Sequence, residues 1–337
     1  MNEREILKLV RKHFNNRSAV SMLDDCGYFS PKVNSKIVLS TDTVIEDIHF
    51  LYHSNIHKSL PYKAIGASIS DIISSGGTPK CILISLNINK NDNKTLQWYS
   101  DLFHIFNLAS RELNVNIVGG NTTITDNKFS IGITAVGEQL NSEKSLLRSG
   151  IKSGDYIFVS GSIGDYWAGL QLIKKSDKAN KYFVNLNDEK TNYLINKYDI
   201  PPYNLNLVNH IKSIANSCSD VSDALLLDLY EMLYISKNTL VLDINDIPIS
   251  GVLSSIINKN FYREAVLNAA TGGGDYELLF SVPEDKLYKL NFMRKTYGLN
   301  ITCLGRAQSY NADAHLNNLI VKDKDDIFKL KHLGFMH

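Results

Sequence analysis

The side chains in this sequence best suited to chemistry are its aspartates, and several stand in unusual company. Asp42 falls in Ser40-Thr41-Asp42-Thr43, where the apolar run Ile37-Val38-Leu39 ends, with hydroxyls on either side. Asp71 is the single charge in Ala64-Ile65-Gly66-Ala67-Ser68-Ile69-Ser70-Asp71-Ile72-Ile73-Ser74-Ser75. That stretch reads as a helix buried on all sides, where a carboxylate needs a partner or a metal. Asp24-Asp25 forms an acidic pair in a polar loop, and Asp220 and Asp223 stand three apart in Cys218-Ser219-Asp220-Val221-Ser222-Asp223-Ala224. Carboxylate and hydroxyl oxygens suit Mg²⁺, and Mg²⁺ in turn grips phosphate oxygens. Each position also has a plain reading. Asp42 suits a turn, Asp71 a helix surface, and Asp24-Asp25 a solvated loop. Asp220 and Asp223 suit the capping of a helix start, where acids complement the dipole.

Other routes to nucleotide chemistry are missing. The sequence holds no G-x-x-x-x-G-K-[ST] loop, no H-R-D or D-F-G set, no H-E-x-x-H and no G-x-S-x-G. Gly119-Gly120, Gly161 with Gly164, and Gly272-Gly273-Gly274 each border an element. Such clusters let backbone approach a phosphate, and they equally suit turns. With 337 residues, 44% hydrophobic and 21% charged, the chain suffices for two globular domains without staples. Its formal net charge of +1 gives no sign of a nucleic-acid partner. Cys26, Cys81, Cys218 and Cys303 form no C-x-x-C pair, which argues against a zinc ribbon, a redox motif or a secreted disulfide scaffold. No stretch approaches the ~20 apolar residues that span a bilayer. Met1-Asn2-Glu3-Arg4-Glu5 lacks the pattern of a secretory leader. A cytoplasmic protein with no membrane partner is therefore expected.

Elements must hold these residues in place. Ile6, Leu7, Leu9, Val10 and Phe14 predict an amphipathic helix over 4–14, and 36–40 predicts a strand running into Thr41-Asp42-Thr43. Pro61 near a first turn and Gly76-Gly77 past an end predict a helix over 61–75. Strands are expected at 81–88, at 115–118 stopping at Gly119-Gly120, and at 129–136, with a helix over 94–113. This alternation implies an α+β domain with helices packed on a mixed sheet. A Ser-, Lys-, Gly- and Asn-rich stretch at 138–154 suggests domains at 1–138 and 139–337. The second half predicts strands at 156–160, 239–243, 277–282 and 301–305, and helices near 167–173, 204–216 and 222–235.

Taken in order, several segments resemble the thiamine-monophosphate kinase family. They are Leu39-Ser40-Thr41-Asp42-Thr43 with His49-Phe50, Lys63-Ala64 with Ser70-Asp71 and Gly76, and Val118-Gly119-Gly120-Asn121-Thr122-Thr123. Arg148-Ser149-Gly150 with Gly154-Asp155, Ser219-Asp220-Val221-Ser222-Asp223, Thr271-Gly272-Gly273-Gly274-Asp275-Tyr276-Glu277-Leu278-Leu279-Phe280 and Ile301-Thr302-Cys303-Leu304-Gly305 continue the series. The resemblance is collinear and covers nearly the whole chain. It extends to aminoimidazole-ribonucleotide synthetase, selenophosphate synthetase and the hydrogenase-maturation dehydratase, and implies two α+β domains with a homodimer formed through the N-terminal ones. The implied reaction is ATP-dependent phosphorylation of thiamine monophosphate to thiamine diphosphate, by in-line transfer assisted by several Mg²⁺ ions. By position, the resemblance makes Asp25, Ser40, Thr41, Asp42, Asp71, Asn121, Asp220 and Asp223 metal-site residues. It makes Gly120, Asn121, Arg148 and Ser222 contacts to ATP, and His49, Gly274 and Phe335 contacts to substrate. No protein base is implied.

The sequence also departs from the family pattern. Asn121 replaces the acid of Gly-Gly-Asp, so a charged ligand becomes a neutral amide. Gly274 stands where the family carries a substrate-facing glutamate, Ala224 ends Ser-Asp-Gly, and Met22-Leu23 alters the start of Gly-Asp-Asp. A phosphate monoester has its second pKa near ~6, so the acceptor is largely a dianion and needs no base. What it needs is charge separation from the triphosphate, which divalent metals perform. The departures leave two alternatives: another ATP-using enzyme of the superfamily, or a nucleotide- or thiamine-phosphate-binding protein with weakened catalysis.

Overall fold

The computed structural model describes residues 3–14, 26–53, 56–91, 93–203, 206–310, 318–324, 326–328 and 332–334. Asp25 and Phe335, two expected site residues, lie outside the described residues. The chain separates into two compact units, one of Met1–Ile73 with Gly77–Glu143, the other of Ser74–Gly76 with Lys144–His337.

The first unit contains α1 (Glu3–His13), β1 (Ser35–Ile45), α2 (Ile56–Ser74), β2 (Thr78–Asn89), α3 (Leu96–Glu112), β3 (Asn116–Thr125) and β4 (Ser130–Leu140). Its sheet runs β1-β4-β2-β3. β4 pairs antiparallel with β1 and β2, while β2 and β3 are parallel, so the sheet is mixed as expected. Side chains alternate between the two faces of a strand. One face carries Ile133, Ile84 and Ala135, all buried, and α2 is tied to it by Ser68 Oγ donating to Ile133 O at 3.0 Å. The other face is open, leaving Leu39 66%, Ile37 43% and Leu83 39% exposed.

The second unit holds β5 (Tyr156–Ser160), α4 (Asp165–Lys174), α5 (Asp177–Tyr182), α6 (Asp188–Asp199), α7 (Leu207–Ile211), β6 (Ser217–Asp220) and α8 (Leu225–Ile235). It continues with β7 (Asn238–Asp243), α9 (Gly251–Ile256), α10 (Tyr262–Ala270), β8 (Leu278–Val282), α11 (Leu287–Tyr297), β9 (Ile301–Arg306), β10 (Gln308–Ser309), β11 (Leu319–Asp323) and β12 (Asp326–Ile327). Two sheets result, β6-β8-β5-β9 and β10-β7-β11-β12. Their apolar faces enclose a core that includes Val159, Leu226, Leu242, Leu279 and Leu304. Asp155, buried beneath β5, accepts from Asn216 Nδ2, Ser281 Oγ and Lys152 N at 3.0–3.1 Å, so that motif residue is a structural knot. The chain is thus a two-unit α+β protein.

The helix expected near 204–216 shortens to α7 (Leu207–Ile211), and four other boundaries also differ from the sequence reading. β1 does not end before Asp42 but carries it, because pairing with β4 continues to Ile45 opposite Ser130. α2 begins at Ile56, with Pro61 inside it, since Ile56, Ser59 and Leu60 are buried in the unit. β3 passes straight through Gly119-Gly120 rather than stopping there. Residue 138, the expected end of the first domain, falls inside β4, and the division between units comes after Glu143, within the composition break at 138–154.

Candidate functional site

In the first unit, the pleat decides which of the expected residues meet. Ser40 and Asp42 are two apart on β1 and point to the helix-covered face, where Ser40 Oγ donates to Asp71 Oδ2 at 2.5 Å. α2 is apolar or small on nearly every side, and Asp71, half-buried on it, takes a hydrogen bond from a strand hydroxyl. In register, Asp42 faces Ile133, the residue whose carbonyl receives Ser68 Oγ one helical turn before Asp71. Ser40, Asp42 and Asp71 therefore share one face.

Thr41 and Asn121 do not share it. Thr41 alternates to the open face, where its Oγ1 donates to Ile133 O at 3.2 Å, so its side chain cannot join Asp42. Asn121 lies in register with Ser85, Gly132 and Thr43, again on the open face, and its Nδ2 donates to Thr123 Oγ1 at 3.2 Å. β3 is three strands from β1, about 14 Å at ~4.8 Å per strand. Within one chain, the amide of Asn121 is thus not a partner of Asp42. Gly120 has a packing reason: a Cβ there would sit 2.0 Å from Ile84 O of the parallel neighbour.

His49 follows β1 in a tight turn. Ile45 N donates to its Nδ1 at 3.1 Å, and His49 N donates back to Ile45 O at 2.8 Å. With Nδ1 accepting, the neutral ring carries its proton on Nε2. The same turn is clasped by Lys94, whose ammonium lies 4.8 Å from the Tyr52 ring centroid, 5.1 Å from Phe129 and 5.3 Å from Trp98. Glu46 stands 3.8 Å from it, and the lysine side chain is only 6% exposed.

In the second unit, Asp220 closes β6 and is 1% exposed, while Ser222 and Asp223 form the link to α8. The Gly272-Gly273-Gly274 segment grips that link from the side. Gly274 N donates to Ser222 O at 2.7 Å and Tyr276 N to Val221 O at 2.8 Å. Gly273 has φ +68°, and a Cβ there would meet Asp223 O at 2.6 Å. The triple glycine thus serves the backbone of the acidic loop. Gly274 itself, φ +77°, has the Tyr166 ring where a side chain would begin, 2.3 Å from an added Cβ. Arg148 opens a short 3-10 turn and pairs with Glu231 through Nη1 at 3.3 Å.

Asp228 escaped the sequence reading. It sits in the first turns of α8, whose sequence Leu-Leu-Leu-Asp-Leu-Tyr-Glu-Met-Leu-Tyr-Ile is otherwise almost wholly apolar there, and it is 2% exposed. The signal that singled out Asp71, one acid in an apolar helix, was present here as well. Its Oδ2 accepts from both Asp223 N and Ala224 N at 3.2 Å. Its Oδ1 is buried with no hydrogen-bond partner among the described residues. Burial, then the Asp220 and Asp223 carboxylates, push its pKa well above the ordinary range, with Arg148 opposing.

These donors are carboxylates and hydroxyls, the oxygen set that Mg²⁺ accepts, and Asp228 Oδ1 is a buried oxygen lacking a partner of its own. Among the described residues, no group of three or more His, Cys, Asp or Glu is arranged to hold a metal. No helix among them is long and apolar enough to cross a membrane.

Residues 23–139 match the family model described as AIR synthase related protein, N-terminal domain. A thiamine-monophosphate kinase of Buchnera aphidicola subsp. Schizaphis graminum is 34% identical over 316 residues, covering 93% of this chain and 91% of its own. The structure of a thiamine-monophosphate kinase from Stenotrophomonas maltophilia superposes with a TM-score of 0.78 at 23% identity, covering 96% and 97% of the two chains. That likeness carries the fold. The structure described as AaThiL complexed with AMPPCP and TMP covers 100% of this chain and 99% of its own, with a TM-score of 0.73 and 25% identity.

Proposed function

The chain belongs to the thiamine-monophosphate kinase family, and from that premise we propose that it transfers the γ-phosphoryl group of ATP to thiamine monophosphate, giving thiamine diphosphate. The observation that carries this reading is the end-to-end match to AaThiL, a protein described as complexed with AMPPCP and TMP.

Asp42 and Asp71 would hold Mg²⁺ in the first unit, with Ser40 fixing the Asp71 carboxylate through its 2.5 Å hydrogen bond. Asp25 belongs to the same set by position. In the second unit, Asp220 and Asp223 are assigned to metal, and Ser222 and Arg148 to ATP. When bound, Mg²⁺ supplies the charge neutralisation that lets a phosphate dianion approach a triphosphate. The chain's part is to hold the donors and orient the acceptor. His49, with Nδ1 occupied by Ile45 N, offers Nε2–H as a donor to the acceptor phosphate. No side chain needs to remove a proton, so in-line transfer proceeds without a protein base.

The first unit is proposed as the metal- and nucleotide-binding unit and as the dimerisation unit. Its open sheet face supports the second role: Ile37, Leu39 and Leu83 form an exposed apolar patch of the kind that pairs with a second copy. The reaction is assigned to the cytoplasm, where its co-substrate ATP is abundant. A second reading, substrate binding with weakened turnover, is favoured by Gly274, which offers substrate no side chain.

Replacing Asp42 by Asn tests the assignment. Turnover with Mg-ATP and thiamine monophosphate should fall at least ~100-fold, while the melting temperature stays within a few degrees. An unchanged rate would remove Asp42 from the reaction.

A further inference from the structure

We propose that the outer face of α11, built on Tyr288 and Phe292 and flanked by Lys289 and Lys295, seats the chain on an anionic bilayer surface. Such attachment is interfacial, since no helix among the described residues is long and apolar enough to cross a membrane. It departs from the sequence expectation of no membrane partner. It is independent of the kinase reading, because no residue of α11 belongs to the sites above.

α11 turns the buried Leu290 and the half-buried Leu287 and Met293 inward. Tyr288, Phe292 and Lys295 follow one another at spacings of four and three, and Lys289 precedes Phe292 by three, so the four share the opposite face. Tyr288 and Phe292 are each 68% exposed, more than any other described aromatic residue. Lys289 Nζ lies 5.9 Å from the Tyr288 ring centroid. From Leu287 to Tyr297 the helix carries Lys289, Arg294 and Lys295 and no acid, in a chain of formal net charge +1. None of these three cations makes an ion pair among the described residues. The acids just ahead of the helix are Glu284, taken by Arg306 at 2.6 Å, and Asp285. Exposed rings flanked by such cations suit a partner that offers negative charge and an apolar boundary in one plane. An anionic bilayer offers both. Lysine ammoniums reach headgroup phosphates along their apolar stems, while the rings enter the acyl boundary and the Tyr288 phenol stays at headgroup level. A second copy would set cation against cation. A polynucleotide calls for a longer cationic track than one helix face of a near-neutral chain supplies.

Sedimentation with lipid vesicles tests the attachment. The parent protein should pellet with vesicles of equal parts phosphatidylglycerol and phosphatidylcholine but not with pure phosphatidylcholine. Binding should weaken as salt rises from ~0.1 M to ~0.5 M. Each cation near an anionic surface is worth roughly 5-fold in binding. Lys289→Glu combined with Lys295→Glu should therefore weaken binding at least ~25-fold, and Phe292→Ser about 5-fold. Lys8→Glu combined with Lys259→Glu, two exposed lysines outside α11, changes the net charge equally and should leave binding within ~2-fold. All of these positions are exposed, so the variants should melt with the parent. No pelleting with the anionic vesicles, equal pelleting with the neutral ones, or α11 variants that bind as the parent does would overturn the attachment. Retention of a single-stranded RNA that the α11 variants lose, without any pelleting, would overturn it in favour of a nucleic-acid face.

Discussion

Restoring a glutamate at Gly274 should fail, and its failure can be apportioned. The residue sits at φ +77°, a left-handed conformation that costs a side-chain-bearing residue about 1–2 kcal/mol. Beyond that strain, the first carbon of any side chain would come 2.3 Å from Tyr166 Cε1. The Tyr166 ring cannot easily withdraw, because Tyr198 backs it at 4.9 Å between centroids. Overpacking of this kind costs a further ~1–3 kcal/mol. Gly274→Glu should therefore lose about 2–5 kcal/mol, or roughly 4–20 °C for a unit of this size. Combining it with Tyr166→Ala should recover the steric share but not the backbone share. In a double-mutant cycle by urea unfolding, the coupling should be about 1–3 kcal/mol in the compensating direction. Stability of Gly274→Glu within ~0.5 kcal/mol of the parent, or penalties that simply add, would refute the view that Tyr166 occupies that space.

Three further outcomes are expected. Lys94→Ala removes a cation held over three rings and should cost about 1–2 kcal/mol in unfolding experiments. Because Lys94 clasps the turn that presents His49, KM for thiamine monophosphate should rise more than kcat falls, and Lys94→Arg should restore much of it. Gly120→Ala drives a carbon to 2.0 Å from the Ile84 carbonyl and should destabilise the first unit by ~1–3 kcal/mol in a urea melt. Burial disfavours ionised Glu138, yet Lys32 N at 3.0 Å and the Lys80 ammonium at 3.2 Å hold its carboxyl below the ordinary range. Its stabilisation is thus present above the unfolded-chain pKa and lost as pH falls through the lower folded value. Glu138→Gln should flatten the acid limb of stability measured by urea unfolding from neutral to acidic pH.

Much of this was legible in the residues. Strands such as Tyr156–Ser160 are short apolar runs bounded by glycine, and they needed no tertiary information. Asp71 was legible because a lone acid in an apolar helix demands a partner, and Ser40 provides it. Asp228 carried the same signal in α8, one acid in an apolar helix, and its burial against the Asp223 and Ala224 backbone appears only in the fold. The glycines of β3 argued for a turn by propensity, whereas the close approach of the Ile84 backbone demands Gly120 within a strand. The face on which Asn121 lands depends on the register of β2 with β3, which shifts between Ile82 and Leu83. One residue of slip exchanges the faces of a strand, and no local pattern encodes it.

The central claim is the transfer of one phosphoryl group from ATP to a phosphate acceptor. Purified protein incubated with Mg-ATP labelled in the γ-phosphate and with thiamine monophosphate measures it directly. Label should appear in thiamine diphosphate in one-to-one ratio with ADP, and disappear when Mg²⁺ is chelated. A folded preparation that releases label only as inorganic phosphate, or leaves ATP intact while a control kinase turns over, would contradict it.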